Sequence, residues 1–382
     1  MNKNFIAFAL FLILINYSLS AQTRARTEIN IPDIMDYKTL KCDFHMHTVF
    51  SDGLVWPSIR PEEAWRQGLD AIALTDHIEY TPHKDDININ FNRPYEIAKP
   101  AGDKLDIIVI KGSEITRGMP PGHCNAIFLT DASKLIQDDW RDAFKEAKKQ
   151  DAFIFWNHPG WKSQQPDGIS NWYEEHTWLL KNNMLNGIEV VNERDYYPEV
   201  FQWCLDKNLT ILCNTDVHDP VQMFWEIHDH DFRPVTLVFA KEKTEASIKE
   251  ALFAGRTAAY ATNSLFGKEQ FVRQIFNNSV SINKTDLVIN GKRSVNIMFK
   301  NDSDIDYKLV SKNKFEELSF NDEITLYANK TVILSLRGTS NEKSDIQKFE
   351  LLFEVQNIKI NSEENLMVSF PLNITFVPVE KM

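Results

Sequence analysis

The chain has 382 residues, 43% of them hydrophobic and 25% charged, an ordinary globular balance and enough for one large domain with a smaller one beside it. A formal net charge of -12 excludes a protein that grips nucleic acid non-specifically, since that requires a basic face for phosphates. Any anionic substrate must be drawn in locally, by bound cations or a few Lys and Arg side chains.

The first element in chain order is a leader. Lys3 precedes the apolar run Phe5–Ile15, and the small residues Ser18, Ser20 and Ala21 follow. That is the layout of a signal peptide over residues 1–21, with an apolar run too short to span a bilayer comfortably, and it predicts a secreted or periplasmic protein. No later stretch resembles a transmembrane segment. Cys42 and Cys124 lie in apolar strand patterns and are expected to be buried thiols, whereas Cys204 and Cys213 are the pair an exported protein could most cheaply join.

From about residue 40 to 260, short apolar runs alternate with amphipathic stretches of helical length. The runs are LKCDF, DAIAL, DIIVI, HCNAIFL, DAFIFW, GIEVV, LTILC and PVTLVF; the helix candidates are RPEEAWRQG, DDWRDAFKEAKKQ, NWYEEHTWLLKNN, YPEVFQWCLDKN and TEASIKEALFAG. This order predicts an α/β fold with a parallel sheet and helical crossovers. Residues of metal-binding type stand on or just after these runs: His45, His47, Asp52, Asp76, His77, Glu114, His123, His158, Asp216 and His218. In a barrel the C-terminal strand ends share one mouth, and so many contributing strands favour a barrel over an open sheet with one switch point. Residues 22–264 are therefore assigned to a barrel domain. Residues 265–382 carry β-branched and aromatic runs between Asn, Asp, Gly and Ser turns and contain no histidine, which predicts a small all-β, sandwich-like domain for packing or attachment.

Within HMHTVFSDG at 45–53, residues i and i+2 of a strand point the same way, so His45 and His47 can face one ion. Mixed imidazole and carboxylate donors suit Zn, Fe or Mn, and the absence of Cys argues against a structural zinc site. A bridging carboxylate such as Glu114 would let two cations share an activated water, and phosphate esters gain most because their oxygens also meet the metals. Asp76 is expected to orient an imidazole rather than bind metal. His83, His176, His228 and His230 fall outside the pattern and are expected at the surface, with HDHD at 228–231 a solvated loop. Arg117, Lys162 and Arg194 follow strands and are candidate phosphate-binding cations. Tyr80, Trp161, Trp172, Tyr196, Tyr197 and Trp225 are candidates for an apolar leaving-group pocket, with MPPG at 119–122 and the loop 80–92 at its rim.

Taken in order, HxH, SDG, TDH, GSE, GH, NHPG and DVH resemble the PHP (polymerase and histidinol phosphatase) superfamily of metal-dependent phosphoesterases. The resemblance implies a distorted (β/α)7 TIM-like barrel holding two or three divalent ions, Mn, Zn or Fe. It implies His45, His47, Glu114 and Asp216 around one ion, Glu114, His123 and His158 around a second, and Asp52, His77 and His218 around a third. Glu114, Asp216 and His218 are then the expected catalytic residues, and Arg256, in a Gly-Arg-Thr element common in relatives, is expected to be structural. Asp52 stands where some relatives use histidine. The implied reaction is hydrolysis of a small-molecule phosphate ester, a diester on resemblance alone, by attack of a metal-bridging hydroxide. Two other readings are a carboxyl or carbamate ester hydrolase on the same site, and a non-catalytic, metal-stabilised surface protein that binds glycan.

Overall fold

A computed structural model describes residues 24–225 and 233–380; the leader at 1–21 and the HDHD motif lie outside these. The first part contains strands β1 (Lys38–Asp43), β2 (Ala71–Leu74), β3 (Ile108–Ile115), β4 (Cys124–Ile127), β5 (Phe153–Trp156), β6 (Gly187–Asn192), β7 (Asp195–Tyr196), β8 (Thr210–Asn214), β9 (Val235–Ala240), β10 (Thr257–Ala261) and β11 (Ser264–Gly267). Its helices are α1 (Arg60–Arg66), α2 (Arg93–Leu105), α3 (Trp140–Lys149), α4 (Glu174–Lys181), α5 (Pro198–Asp206), α6 (Glu245–Phe253) and α7 (Glu269–Ser279). Helix starts are fixed locally: the Asp139 carboxylate accepts from Arg141 N–H at 2.9 Å to cap α3, and the Thr244 hydroxyl accepts from Ser247 N–H at 3.2 Å to cap α6.

All eight apolar runs are strands, but their directions are mixed. β1, β2, β3, β5, β6, β8 and β10 run one way, while β4 and β9 run against their neighbours. The expectation of a wholly parallel sheet is thus corrected. Only residues 116–123 separate β3 from β4, and a parallel return needs a crossover of about a dozen residues or more. Among the described residues the closing seam between β8 and β9 has no backbone ladder; the Thr236 hydroxyl spans it, accepting from Cys213 N–H and donating to Cys213 O, both at 2.8 Å. Alternate residues Leu40, Cys42, Ala71, Ala73, Phe153, Phe155, Leu212 and Val238 form one buried cluster, joined by Ile248, Ala251 and Leu252 of α6. This is a filled barrel interior, with metal-binding residue types left at the opposite mouth.

Two helices were not foreseen. α2 buries Pro94, Ala98 and Gly102, a stripe of small residues where periodicity would show large ones; a Cβ on Gly102 would stand 2.5 Å from Val109 Cγ2, so only glycine lets the helix lie that close to β3. α7 lies in the stretch read as all β, and joins the two parts: Phe271 meets Phe239 of β9 at 5.1 Å and Phe276 meets Tyr307 at 4.9 Å.

The second part has β12 (Val280–Ile282), β13 (Asp286–Asn290), β14 (Ser294–Asn301), β15 (Tyr307–Ser311), β16 (Leu318–Ser319), β17 (Glu323–Leu326), β18 (Thr331–Gly338), β19 (Ile346–Lys359) and β20 (Asn365–Val377). Four of them, in the order β12-β14-β18-β16, make one sheet; β13, β20, β19, β15 and β17 make the other. Buried and exposed positions alternate along β14, β18 and β20, and Phe299 meets Phe370 across the sheets at 4.8 Å, which is a sandwich. β11 pairs with β10 on one edge and, in parallel, with β19 on the other, so barrel and sandwich share a continuous apolar core.

All four cysteines are buried free thiols. Cys204 and Cys213 are not joined: their sulfurs face the carbonyls of Thr210 and Tyr260. His176, expected at the surface, is fully buried and stacks on Trp156 at 3.7 Å, because its ring can satisfy both nitrogens inside. Its Nδ1 accepts from Tyr173 N–H at 3.1 Å and Nε2 donates to Pro121 O at 2.7 Å. Burial pushes its pKa down to about 4 from an ordinary 6.5. The unfolded chain therefore binds more protons between those values, and stability falls as pH drops through that window, by on the order of 3 kcal/mol at most. His176→Gln keeps a donor and an acceptor without titrating, so denaturant unfolding at pH 7 and pH 4.5 is expected to show a smaller acid loss in the variant.

Candidate metal centre

The mouth is built by cross-connecting the first and last metal-type motifs. Met46 and Val217 form a parallel bridge, Asp216 N–H donates to His45 O at 2.9 Å, and His47 N–H donates to Val217 O at 3.0 Å. Gly53 closes the following turn on Thr48 O; a Cβ there would stand 2.7 Å from His47 backbone carbon, so glycine is what folds Asp52 back toward His47. His123 reaches the mouth from the start of an antiparallel strand, where the other ligand types come from C-terminal ends. His158 and Asp216 hold left-handed backbone, φ +29° and +54°, strain of a kind that non-glycine residues accept mainly at functional positions.

All nine sequence-identified positions converge here. Three groups of donor atoms each lie within 4.8 Å of one another: His45, His47, Glu114 and Asp216; His77, Glu114 and His123; and His47, Asp52, His77 and His218. Glu114 faces four imidazoles, with His45 Nε2 at 2.9 Å, His47 Nε2 at 3.3 Å, His77 Nδ1 at 3.5 Å and His123 Nδ1 at 2.6 Å. Asp52 Oδ1 faces His218 Nε2 at 3.2 Å and His77 Nε2 at 3.5 Å. In the second group the geometry brings in His77; His158 stands beside it, its Nε2 3.8 Å from Asp216 Oδ2 and its ring 5.0 Å from that of His123.

Electrostatics separate these groups. Burial opposes charge on His45, yet Asp216, Glu189 and Glu114 outweigh it and hold its pKa well above the usual value. Burial likewise opposes charge on His218, but the Asp52 carboxylate close beside it and the field of Asp216 raise it to about 9. For His158 burial wins and its pKa falls to about 4, a neutral imidazole at neutral pH and the form that ligates metal. Glu114 and Asp216 are held well below the carboxylate range by the imidazoles around them, despite burial.

Divalent cations fit this pocket. His47 Nε2, Asp52 Oδ1, Glu114 Oε1 and His123 Nδ1 are all buried without an aligned hydrogen bond, although their neighbours stand close. Each such atom ordinarily costs about 1–3 kcal/mol, and a cation between them would answer several at once. Mixed nitrogen and oxygen donors without sulfur suit Zn, Fe or Mn.

The residues behind these donors were not identified in sequence, apart from Asp76. Asp76 accepts from Thr48 N–H at 2.7 Å and Ser51 Oγ at 2.7 Å, and Ser51 Oγ lies 3.3 Å from His47 Nδ1, so it braces the His47 turn as expected. Glu189 is foremost among those missed. Fully buried on β6, its Oε1 accepts from His45 Nδ1 at 2.9 Å and Asn214 Nδ2 at 3.0 Å, and its Oε2 from His158 N–H at 2.8 Å. A carboxylate behind an imidazole fixes its tautomer and aim, and losing one typically costs about 10–100-fold in metal affinity. Glu189→Gln is expected to lose metal at correspondingly lower chelator concentrations with an unchanged far-ultraviolet spectrum. Equal retention would show that Glu189 only fills space.

The three candidate phosphate cations differ. Arg117 is committed to structure, with Nε 2.8 Å from Glu79 Oε1 and further donation to Gln137 O at 2.6 Å. Arg194 is exposed and donates to Phe224 O at 3.1 Å. Lys162 is exposed beside Trp161. Arg256 is structural as expected, bonding Glu250 and Phe239 O and lying over the Tyr37 ring at 4.6 Å. Among the candidate aromatics, Trp161 and Tyr80 stand against the imidazoles while Trp225 and Tyr197 are buried in the core.

Seven co-directional strands with imidazoles and carboxylates gathered at one mouth, followed by a sandwich, define a two-domain protein of the barrel metallohydrolase class. A solved two-domain protein from Bacteroides vulgatus, containing a predicted PHP-like metal-dependent phosphoesterase, is 44% identical, covers 92% of this chain and 100% of its own, and superposes with a TM-score of 0.86. The chain belongs to this family of two-domain PHP-like metal-dependent phosphoesterases. A family model for an Ig-like domain matches residues 280–371, within the sandwich. An uncharacterized protein from Methanocaldococcus jannaschii is 39% identical over 82 residues, 22% of this chain and 36% of that relative, so the match spans about a third of the relative's length.

Proposed function

We propose that the protein is an exported phosphodiesterase using two or three divalent ions. The observation that carries this is the sharing of Glu114 between two donor groups, with His47 and His77 shared in the same way with the third. His45, His47, Glu114 and Asp216 would hold one ion, Glu114 and His123 with His77 or His158 a second, and Asp52, His77 and His218 a third. Bound cations would supply Lewis acidity toward the phosphoryl oxygens and water activation near neutral pH. The chain's own part is positional. Glu189 aims His45, Asp76 braces the turn of His47, and His158 stays neutral at the mouth. Lys162 is the substrate-side cation we favour, because it is exposed in the loop that carries Trp161, whereas Arg117 is tied to Glu79.

The test is turnover by protein lacking the leader, loaded with Mn, Zn or Fe(II), on bis(p-nitrophenyl) phosphate, p-nitrophenyl phosphate and p-nitrophenyl acetate. Faster metal-dependent cleavage of the diester than of the monoester supports the reading. Cleavage of the acetate alone would replace it with a carboxylesterase. Export rests on the leader sequence and is checked by mass spectrometry of the mature N-terminus; intact Met1 on cytoplasmic protein would refute it.

A further inference from the structure

We infer that Trp161 and Tyr80 form a stacking rim that selects phosphate esters carrying a planar aromatic or heteroaromatic group beside the scissile bond. This rests on the phosphoesterase reading above and narrows its substrate class. Both side chains are solvent-exposed, Trp161 by 43% and Tyr80 by 53%. Trp161 lies 5.6 Å from the His123 ring and 5.2 Å from His158, and Tyr80 lies 6.0 Å from His77. The His77 and His123 rings are 5.7 Å apart. The two aromatics therefore bracket the imidazoles that join Glu114 in one donor group, and a phosphoryl group held there would carry its substituents past one ring or the other.

Trp161 is held in place from the backbone outward. Its N–H donates to His158 O at 2.9 Å, and its carbonyl accepts from Gln164 N–H at 2.9 Å and Gln165 N–H at 2.7 Å. The preceding Gly160 is so tightly enclosed that a Cβ would meet Gly168 O and the Tyr197 ring at 2.7 Å. An exposed indole on a firmly held backbone loses less freedom when a flat group settles on it than one on a loose loop would, and stacking discriminates by shape of the face rather than by hydrogen-bond pattern.

Calorimetric binding of phenylphosphonate and cyclohexylphosphonate to the metal-loaded protein tests this, since the two differ in flatness more than in bulk. The wild-type protein is expected to bind the phenyl compound about tenfold more tightly, Trp161→Ala to lose most of that preference, and Trp161→Phe to recover part of it. Tyr80→Ala provides a second variant at an exposed position. Equal binding of both phosphonates by the wild type overturns the stacking rim and leaves the phosphoesterase reading intact. Binding of neither by metal-loaded protein overturns the phosphoesterase reading and the rim with it. A preference that survives both alanine substitutions overturns the assignment to these two rings.

Discussion

Replacing Glu114 with alanine is expected to lower kcat/KM by more than about 100-fold and to strip the pocket of most of its metal. Its two oxygens face four imidazoles, His45, His47, His77 and His123, all within 3.5 Å, whereas two of the four around Asp216 stand at 3.8 and 3.9 Å. Two of the three donor groups lose a member with it, and the one that remains, His47, Asp52, His77 and His218, lies on the side of Asp52. Residual metal should therefore fall to about one ion per chain by elemental analysis, a more specific outcome than inactivity alone. Glu114→Gln sharpens the test: it keeps the volume and one acceptor but removes the charge that, on the proposed reading, would hold two cations together. Wild-type rates with full metal content in either variant would mean that Glu114 is not the shared ligand.

Much of this pocket was legible because its donors come in short motifs. His45 and His47 are two apart just past β1, Asp76 and His77 are adjacent, and Asp216 and His218 are again two apart, each pair at the end of an apolar run. Such local spacing survives any mistake about sheet direction, which is why His123 was found although β4 runs the other way. Strand direction itself was not legible, because HCNAIFL has the same composition either way round; only the short 116–123 connection carried the signal. Glu189 was hidden for a different reason. It lies within GIEVV, far from any histidine in sequence, and its meaning depends on β6 passing behind His45 and His158. A single acid inside an otherwise apolar strand is the hint that was available, since a buried charge must find partners. The sandwich was legible from its alternation, but α7 was not, as its polar residues matched the surrounding turns.

Arg60 is the clearest case of function that only the folded chain reveals, and its replacement by methionine is expected to have the second large effect. The sequence RPEEAW reads as the start of an ordinary amphipathic helix. In the structure the guanidinium is fully buried and donates from Nε to His47 O at 2.9 Å, from Nη2 to Val217 O at 3.1 Å and His218 O at 2.8 Å, and from Nη1 to Asp219 O at 2.9 Å. Glu63 completes the clasp, pairing with Nη1 at 2.8 Å while its other oxygen accepts from Val221 N–H at 3.0 Å. One side chain thus ties the HMH loop to the DVH loop, which together carry donors of two of the three groups. Methionine retains most of the volume but removes the donor to the His47 and Asp219 carbonyls and takes the cation from the buried Glu63 carboxylate, while Val217 O and His218 O keep the N–H groups of His47 and Leu54. The loss is on the order of 3–5 kcal/mol by analogy with broken buried ion pairs. Lysine keeps the charge but offers three donors from one point in place of a planar fork, so Arg60→Lys should fall between methionine and wild type. Denaturant unfolding with metal present and absent separates the two roles of the clasp. If Arg60 also sets the distance between the loops, Arg60→Lys will gain less stability from added metal than the wild type does, because the donors of His47, Asp216 and His218 no longer stand where a cation needs them. If metal stabilises both proteins equally, Arg60 supports the fold and leaves the spacing of the donors to the strands themselves.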